Sequence, residues 1–241
     1  MNFGYQTVIP HIHRSRVRHV FESVADNYDR MNDLMSGGLH RVWKRKVLNH
    51  IPRTKNRTLV DLAGGTGDIA NGFLRRGGNK AYICDISLKM LLVGKERELN
   101  KGTVQGAIRI CGDAATIPLS SECADICTIV FGLRNVTHRQ NALQEISRIL
   151  KPGGHFLCME FSPSVIPELR YLYDKFSFKI IPWLGEKVAA DRQSYEYLVE
   201  SIRKFPTRAN LSGEIAEAGF KAITEIPLTG GIVWIHSGWR I

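Results

Sequence analysis

Apolar side chains recur along the chain with two different periods, and each period predicts a type of element. In residues 15–50 they recur every three to four positions, which predicts helix, and Gly37 and Gly38 divide this stretch into two segments. Short apolar runs then predict strands at 58–63, 81–84, 107–111, 126–131 and 155–161. Helical periodicity predicts helices at 69–75, 88–99 and 141–150. Alternating strands and helices are typical of a parallel sheet covered by helices.

The pattern changes twice in the second half of the chain. Lys151-Pro152-Gly153-Gly154 is a helix-stop signal, so the helix before it is predicted to end there. After Pro163, two or three helices are predicted to run to about residue 218. The runs 221–226 and 232–239 predict two closing strands, joined by a turn at 229–231.

Length and charge limit the classes of function. The 241 residues suit one α/β domain, and the longest nearly apolar stretch, 126–133, is far shorter than the roughly 20 residues of a membrane span. The net charge of +10 could attract RNA, anionic lipid or acidic partners, or be non-specific. Six basic or histidine side chains precede Glu22, the first acidic residue. They fit either an organellar transit peptide or a basic helix that rests on a membrane or partner.

The cysteine pattern predicts neither a metal site nor a disulfide framework. The five cysteines are scattered, none forms a Cys-x-x-Cys pair, and no His/Cys cluster has zinc spacing. This pattern favours a reducing compartment with buried, unpaired thiols.

A glycine-rich loop between the first predicted strand and its helix is the most informative motif. Residues 61–68 read Asp-Leu-Ala-Gly-Gly-Thr-Gly-Asp, so the backbone there can approach a ligand closely, although a plain tight turn would look similar. Asp85 ends the next predicted strand, where a carboxylate can accept ribose hydroxyls. Asp113 and Ala114 follow the third, where an acid can accept an adenine amine. Together they predict a nucleotide-type cofactor at the carboxyl edge of the sheet.

The charge of Asp68 distinguishes between cofactors. This acid opens the helix, where it would repel the pyrophosphate of a dinucleotide. It suits the cationic methionine end of S-adenosylmethionine instead, although an acid at a helix N-terminus is also favoured by the dipole alone. We therefore expect a sulfonium cofactor rather than NAD.

Three sequence stretches resemble one methyltransferase family. They are the loop at 61–68, Phe-Gly-Leu-Arg-Asn-Val at 131–136 and Met-Asn-Asp-Leu-Met-Ser-Gly-Gly-Leu-His-Arg-Val-Trp-Lys at 31–44. Together they resemble the UbiE-type ubiquinone/menaquinone biosynthesis C-methyltransferases, and the resemblance covers nearly the whole chain. Leu-Lys-Pro-Gly-Gly at 150–154 is shared with many methyltransferases and is less specific. One departure is Val130, where many members have Ser, which puts a hydroxyl contact to the cofactor there in doubt.

The resemblance implies the class I methyltransferase fold, an α/β, Rossmann-like fold. We expect a mostly parallel seven-stranded sheet with helices on both faces, N-terminal helices and a helical lid inserted after the fifth strand. The single domain divides into a helical cap at 1–51, a cofactor-binding core at 52–163, a substrate lid at 164–218 and closing strands at 219–241. The family's cofactor is S-adenosylmethionine, and the contacts expected here involve Gly65, Thr66, Asp85, Asp113 and Ala114.

The implied reaction is C-methylation of a polyprenylated quinol ring. A ring carbon becomes nucleophilic when the neighbouring hydroxyl loses its proton, so the site needs a base or a cation and no metal. Arg134 is predicted to stabilise the oxyanion and Asn135 to orient it. Asp68 is the predicted base, directly or through one water, and His138 is a second candidate. Arg134 could instead form an ion pair that organises its loop.

The substrate's isoprenoid chain implies an apolar site and weak association with a membrane surface. The aromatic segment 169–183 is predicted to form a lid, or else part of the core, and 194–203 the other wall. We expect the cytosolic face of a bacterial inner membrane, or the matrix face of a mitochondrial one. A homodimer or a quinone-biosynthesis complex is possible, and no nucleic-acid partner is expected.

Two other functions remain open on the sequence. One is a basic methyltransferase that acts on RNA or another small molecule, and the other is a non-catalytic scaffold with the same fold. The intact glycine loop and Asp85 argue against the scaffold. The sequence does not distinguish a benzoquinol from a naphthoquinol substrate.

Overall fold

The computed structural model describes residues 2–52, 55–100, 106–163, 183, 186 and 191–241. The strands are β1 Asn2–Phe3, β2 Gln6–Thr7, β3 Thr58–Leu62, β4 Lys80–Asp85, β5 Ala107–Cys111, β6 Ala124–Val130, β7 Leu150–Phe161, β8 Phe220–Leu228 and β9 Val233–Arg240. The helices are α1 Pro10–Val24, α2 Tyr28–Ser36, α3 Leu39–His50, α4 Asp68–Arg75, α5 Leu88–Asn100, α6 Arg139–Ile149, α7 Arg192–Lys204 and α8 Arg208–Glu217. Within the described residues, no helix is long and apolar enough to cross a bilayer.

Seven strands form one sheet in the order β5-β4-β3-β6-β7-β9-β8. The five strands from β5 to β7 are parallel, whereas β9 runs antiparallel to both β7 and β8. The order reverses at β3, so the carboxyl ends of β3, β4 and β6 meet at the point where open α/β sheets bind ligands. This topology confirms the predicted fold class.

The sheet is buried on both faces because its central strands are apolar at nearly every position. On β3, Val60 and Leu62 pack in one core cluster with α6 and α8, while Leu59 packs in the opposite cluster with α3 and α4. On β7, Phe156 and Leu157 divide between the same two clusters. Continuous apolar runs of this kind are characteristic of parallel strands covered by helices.

The first 50 residues differ most from the sequence prediction. Three helices occupy the stretch that was predicted as two segments, and the first begins at Pro10, where the missing N–H of proline suits a helix start. The small β1–β2 hairpin was not predicted at all, because two-residue strands carry no periodic signal. The break at Gly37 and Gly38 is confirmed, since both have left-handed backbone angles.

The second half follows the prediction with one local difference. α6 ends at Ile149, and the Lys-Pro-Gly-Gly segment bulges out of β7: Ala124 of β6 pairs with Leu150, and pairing resumes at Ile126 and His155. The first closing strand, Phe220–Leu228, is longer than predicted, and the second, Val233–Arg240, has the predicted length but begins one residue later. Of the predicted lid, α7 and α8 are described, but residues 169–182 lie outside the described residues. The division into cap, core, lid and closing strands stays a prediction.

Candidate active site

The glycine loop between β3 and α4 has the left-handed backbone that its sequence indicates. Gly65 has a φ of 54° and Gly67 a φ of 90°, values that suit glycine. Helix α5 packs closely against the loop through Gly94, since a Cβ at that position would collide with the backbone carbonyl of Thr66. The loop is therefore fixed in shape and open to a ligand along its backbone.

Asp85, at the end of β4, is tied to this loop. One carboxylate oxygen accepts the N–H of Gly65 at 2.9 Å and the other accepts the N–H of Ser87 at 2.8 Å. Burial raises the pKa of Asp85 to about 6, although these two hydrogen bonds oppose that effect. Each oxygen retains a second lone pair, so the side chain can also accept ribose hydroxyls.

Asp113 and Ala114 line the same cleft beyond β5, and helix α1 covers them. The Asp113 carboxylate accepts the N–H of Ala115 and forms an ion pair with Arg14 of α1 at 2.9 Å. His13, on the same helix, is hydrogen-bonded to Thr137 at 2.9 Å. The free volume of the cleft is about 70 Å³, well below the roughly 300 Å³ of small ligand pockets, and Val17 and Phe21 of α1 are among the side chains that line it.

Asp68 lies at the far end of the loop beside Lys44 of α3. Their side chains form an ion pair at 2.6 Å. Burial opposes the charge on Asp68, but the ammonium of Lys44 outweighs it and lowers the pKa of Asp68. The pKa of Lys44 is raised because the attraction of Asp68 outweighs its own burial. Asp68 is therefore a weak base, and its predicted role as proton acceptor stays a prediction.

Two more side chains line this end of the cleft, together with Thr66. Asp61, at the end of β3, is fully buried, and one of its oxygens accepts the hydroxyl of Thr128 at 2.7 Å. The other has no partner among the described residues, and burial raises the pKa of Asp61 to about 7. Val130 also lines this end, so methyl groups stand where a serine hydroxyl was expected.

The Phe-Gly-Leu-Arg-Asn segment after β6 forms a tight turn against the glycine loop. Phe131 has a φ of 57°, an uncommon value for a bulky residue and one that is concentrated at functional sites. Gly132 packs directly on Ala63, and a Cβ there would collide with the alanine methyl. This turn therefore presents the next residues, Arg134 and Asn135, beside the cofactor cleft.

Arg134 forms an ion pair with Glu160 of β7. Both side chains are almost completely buried, and the distance is 3.0 Å. The same Arg134 nitrogen donates to the carbonyl of Phe131, which holds the turn together. The alternative role predicted from the sequence, an ion pair that organises the loop, is therefore present in the structure.

Arg134 and Asn135 nevertheless keep two N–H groups without a partner among the described residues. These are Nε of Arg134 and Nδ2 of Asn135, and both are buried. The side-chain oxygen of Asn135, Oδ1, accepts a hydrogen bond from the hydroxyl of Tyr197 at 3.0 Å, which fixes the side-chain amide. Leaving a buried donor without a partner is costly, so an acceptor bound at this wall would be stabilised by both groups.

A second, much larger cavity lies on the other side of this turn. Its volume is about 490 Å³, and its walls are mainly apolar side chains from α1, α2, α3 and α7. Trp43, Phe131 and Phe161 form an aromatic cluster in one wall, with ring centroids 4.6 to 6.0 Å apart. Tyr28, Phe131 and Asn135 line both this cavity and the cofactor cleft.

The structure brings the predicted site residues together. Gly65, Asp85, Asp113 and Ala114 line the cleft, while Thr66 and Asp68 line the adjoining end near Lys44. Arg134 and Asn135 line the large cavity, as do residues of the predicted wall at 194–203. His138 instead precedes α6 and lines none of the three spaces.

The sequence did not predict roles for Asp61, Lys44, Glu160 or Tyr197. Asp61 lies in the motif at 61–68 and Lys44 in the motif at 31–44, so these positions were a signal that both residues belong to the site. Glu160 is the only acid in the mostly apolar strand β7, which is a usable signal because a lone buried acid needs a partner. Tyr197 lies in the predicted wall at 194–203, but its contact with Asn135 was not predicted.

The residues of the cleft fit S-adenosylmethionine. Asp85 and Asp113 offer acceptors for ribose and adenine, and the unpartnered oxygen of Asp61 lies at the end where a cationic group fits. Within the described residues, no group of three or more His, Cys, Asp or Glu side chains could hold a metal ion.

Comparisons with known proteins show the family of this chain. Residues 10–240 match the model of the ubiE/COQ5 methyltransferase family. The chain is 46% identical to the ubiquinone/menaquinone biosynthesis C-methyltransferase UbiE of Acidiphilium cryptum, over all of this chain and 97% of that protein. It is 43% identical to the human mitochondrial 2-methoxy-6-polyprenyl-1,4-benzoquinol methylase, over all of this chain and 84% of that protein.

Solved structures of lower identity show the same fold. A methyltransferase from Thermotoga maritima, described as a possible histamine N-methyltransferase, superposes with a TM-score of 0.67 at 18% identity, over 93% of this chain and all of that one. A methyltransferase from Aquifex aeolicus gives a TM-score of 0.60 at 15% identity, over 82% and 89% of the two chains. With the family match over almost the whole chain, these findings show that the protein belongs to the ubiE/COQ5 methyltransferase family and is an S-adenosylmethionine-dependent C-methyltransferase.

Proposed function

We propose that the protein methylates a ring carbon of a polyprenylated quinol in ubiquinone/menaquinone biosynthesis. The substrate is 2-polyprenyl-6-methoxy-1,4-benzoquinol, demethylmenaquinol or both. The observation that carries this proposal is the pair of unpartnered N–H groups on Arg134 and Asn135, in the wall of a large apolar cavity beside the cofactor cleft. The names of the bacterial and human relatives support the same chemistry.

The cleft holds the cofactor through acceptors at both of its ends. S-adenosylmethionine supplies the methyl group as an electrophile for an in-line displacement. Asp85 accepts the ribose hydroxyls and Asp113 the adenine amine, while Gly65 and Thr66 leave the backbone open. At the opposite end, Asp68 binds the ammonium and Lys44 the carboxylate of the methionine part, so the ion pair they form in this structure is matched to a zwitterion.

Arg134 and Asn135 stabilise the substrate oxygen as it gains negative charge. Two fixed donors in a desolvated site lower the energy of an oxyanion without reorganising, which is why such groups are effective in catalysis. Glu160 holds Arg134 and Tyr197 holds Asn135, so the positions of both donors are set before the substrate binds. Their direct contact with the substrate oxygen is part of the proposal.

The apolar cavity accepts the isoprenoid chain and opens at the tip of the α2–α3 hairpin. Leu34 and Leu39 line the cavity, yet they are 45% and 41% exposed, and Val42 beside them is 49% exposed. Leu39, Val42 and Lys46 are spaced i, i+3 and i+7, so they share one face of α3. An apolar rim with basic neighbours suits an anionic membrane surface.

This hairpin tip is a better docking surface than the basic N-terminal stretch. Arg14 is paired with Asp113, Arg16 is hydrogen-bonded to Gln6, and His13 is buried. Arg14 and Arg16 are exposed but have these partners, whereas Arg45 and Lys46 on α3 are exposed and form no hydrogen bond or ion pair through their side chains within the described residues. We place the docked protein at the cytosolic face of a bacterial inner membrane, and the predictions of a homodimer or a quinone-biosynthesis complex stand beside this proposal.

A reconstituted assay tests the function directly. The purified protein is incubated with S-adenosylmethionine and short-chain analogues of each quinol, kept reduced, and products are analysed by mass spectrometry. We expect each accepted quinol to gain one methyl group on carbon. Absence of methylation on both analogues, with methylation of RNA or an amine instead, would contradict the proposal. Quinones extracted from cells that lack the protein should be lighter by one methyl group.

A further inference from the structure

One group for the reaction has not yet been assigned, namely the base that removes the proton from the quinol hydroxyl. Asp68 is a weak base because of Lys44, and His138 lines neither the cleft nor the cavity. The remaining candidates are the titratable side chains that line the large cavity. Of the described residues that line this cavity, His40 of α3 is the only histidine.

His40 is hydrogen-bonded to Asp33 of α2. The distance between Nε2 of His40 and an oxygen of Asp33 is 2.8 Å. Arg41 binds both oxygens of the same carboxylate, at 2.7 Å each, and so holds it in place. The backbone N–H of His40 donates to the hydroxyl of Ser36, which further fixes the start of α3.

The partner of Nε2 determines where the proton of the ring lies. Hydrogen bonds from Arg41 and His40 hold the pKa of Asp33 well below its ordinary range, so this carboxylate is ionised and can only accept. Nε2 of His40 therefore carries a hydrogen, and in the neutral ring Nδ1 has a free lone pair. Burial lowers the pKa of His40 and outweighs Asp33, which raises it. The ring is therefore neutral at physiological pH.

The free nitrogen has no other role in the described residues. Nδ1 of His40 is buried and has no hydrogen-bond partner there, although its residue lines the cavity. His40 is also one helical turn before Lys44, which lines both the cavity and the methionine end of the cleft. The two side chains share a face of α3, about 6 Å apart along the helix. A quinol ring has a similar diameter, so one ring spans the distance between these two side chains.

We propose that His40, oriented by Asp33, is the general base that deprotonates the quinol, and this role rests on the proposed function. The quinol O–H bond breaks, its electron pair stays on oxygen as a phenolate, and the proton moves to Nδ1 of His40. The ring carbon takes the methyl group from the sulfonium, whose S–C bond breaks with its electron pair left on sulfur as a neutral thioether. The ring carbon then loses its hydrogen as a proton to water, and His40 returns its proton to the ring oxygen. One proton is released overall, and Asp33 stabilises the transient imidazolium.

The test compares His40→Gln with wild type on a reduced short-chain quinol. We expect kcat to fall about 100-fold to 10,000-fold, the usual range for loss of general-base catalysis. Cofactor affinity, measured by calorimetry, and the melting temperature should stay near wild type. Asp33→Asn should lower kcat less, and Arg41→Gln, which removes the other partner of Asp33, should have a small effect. His50→Gln is the matched histidine control on the same helix, because His50 lines none of the three spaces.

Two further measurements separate a base from a structural residue. Added imidazole should restore part of the activity of His40→Ala but have no effect on Arg134→Ala. A chlorinated quinol whose hydroxyl is already ionised at neutral pH should reduce the defect of His40→Gln, since no base is then required. A structural role would give equal defects with both quinols and no rescue, which would overturn the proposal. Wild-type protein that methylates neither quinol would overturn the proposed function, and the role of His40 with it.

The pH dependence of kcat, compared between wild type and His40→Gln, tests the same role independently of rescue. The charged groups that face His40 are Asp33 on α2, Arg41 and Lys44 on α3, and Asp68 on α4. The wild-type kcat should be constant around neutral pH and fall on the acid side, as His40 becomes protonated. In His40→Gln the residual rate should rise steadily with pH, because hydroxide then takes the proton. An unchanged acid limb in this variant would assign that limb to another group and contradict the proposal.

Discussion

The cofactor cleft and the large cavity differ in almost every physical property, although they share a wall. The cleft is narrow, with a volume of about 70 Å³, and its key groups are carboxylates and backbone atoms at strand ends. The cavity is seven times larger and is lined mainly by apolar side chains of helices. The sheet therefore provides a rigid polar half for a ligand of fixed shape, and the helices provide an apolar half for a hydrocarbon chain.

This difference indicates where the protein is sensitive to substitution. Polar groups buried at the cleft and at the shared wall depend on specific partners, so losing one partner leaves another group unsatisfied. An exposed apolar residue at the rim has no such dependence.

The largest effect is expected at the shared wall. Arg134→Ala leaves Glu160 charged and buried without its partner, which should cost about 3–5 kcal/mol of unfolding free energy as well as turnover. Arg134→Lys keeps the positive charge but loses the donor at Nε, so turnover should fall about 100-fold with a smaller loss of stability. Denaturant unfolding and turnover, measured on the same preparations, give both quantities.

A more exposed ion pair provides the control for this prediction. Arg139 and Glu214 have side chains that are 29% and 26% exposed, so Arg139→Ala should cost much less stability. Full stability of Arg134→Ala, with normal turnover in both Arg134 variants, would contradict the importance of the shared wall.

Asp61, beneath the cleft, should make stability depend on pH. Its carboxyl group ionises at about pH 4 in an unfolded chain but at about pH 7 in the fold. Between these values the folded state holds one more proton, so stability falls as the pH rises through this window. Asp61→Asn should therefore raise the melting temperature at pH 8 but not at pH 4, while weakening cofactor binding.

Asp125 offers the opposite case. Burial opposes its charge, but the N–H of Thr58 and the ammonium of Lys151 lower the pKa of Asp125. Asp125→Asn should thus lower the melting temperature at pH 8. If Asp61→Asn lowered the melting temperature at pH 8, as Asp125→Asn should, then the ionised form of Asp61 would not destabilise the fold, and this prediction would be wrong.

Asp85 should determine much of the cofactor affinity. Asp85→Ala should weaken binding of S-adenosylmethionine by about 1.5–3 kcal/mol, because it removes a charged acceptor. Since burial raises the pKa of Asp85 to about 6, wild-type affinity should decline as the pH falls through that value. Calorimetric titrations between pH 5 and 8 measure both effects. An unchanged dissociation constant in Asp85→Ala would mean that the ribose lies elsewhere, and the exposed Asp26 gives a matched control.

The smallest effect is expected at the hairpin tip. Arg45→Gln and Lys46→Gln should each weaken binding to anionic vesicles by about 1 kcal/mol, and Leu39→Ser should weaken it by a similar amount or less. Leu99→Ser is the control, since Leu99 is 71% exposed on the distant helix α5. Flotation with anionic and neutral vesicles, at low and high salt, provides the measurement. Equal binding to both kinds of vesicle would remove the electrostatic part of this proposal.

The same contrast explains how far the sequence could predict the site. The cleft is built from short continuous segments at strand ends, so Gly65, Asp85 and Asp113 could be located before the structure was known. The cavity depends on contacts between distant residues, such as Tyr197 with Asn135, 62 positions apart. Glu160 is similar, since a strand pattern shows that it is buried but not that Arg134 lies beside it. Helix α1 was predicted, but its packing over Asp113 was not, because neither segment carries a signal for the other.

The wall that the two spaces share also has a thermodynamic consequence. Phe131 and Asn135 line both the cleft and the cavity, so a ligand that moves them in one space alters the other. If the cofactor tightens quinol binding by some factor, the quinol must tighten cofactor binding by the same factor. The two substrates are then bound cooperatively, and a fully loaded enzyme is favoured over either half-loaded form.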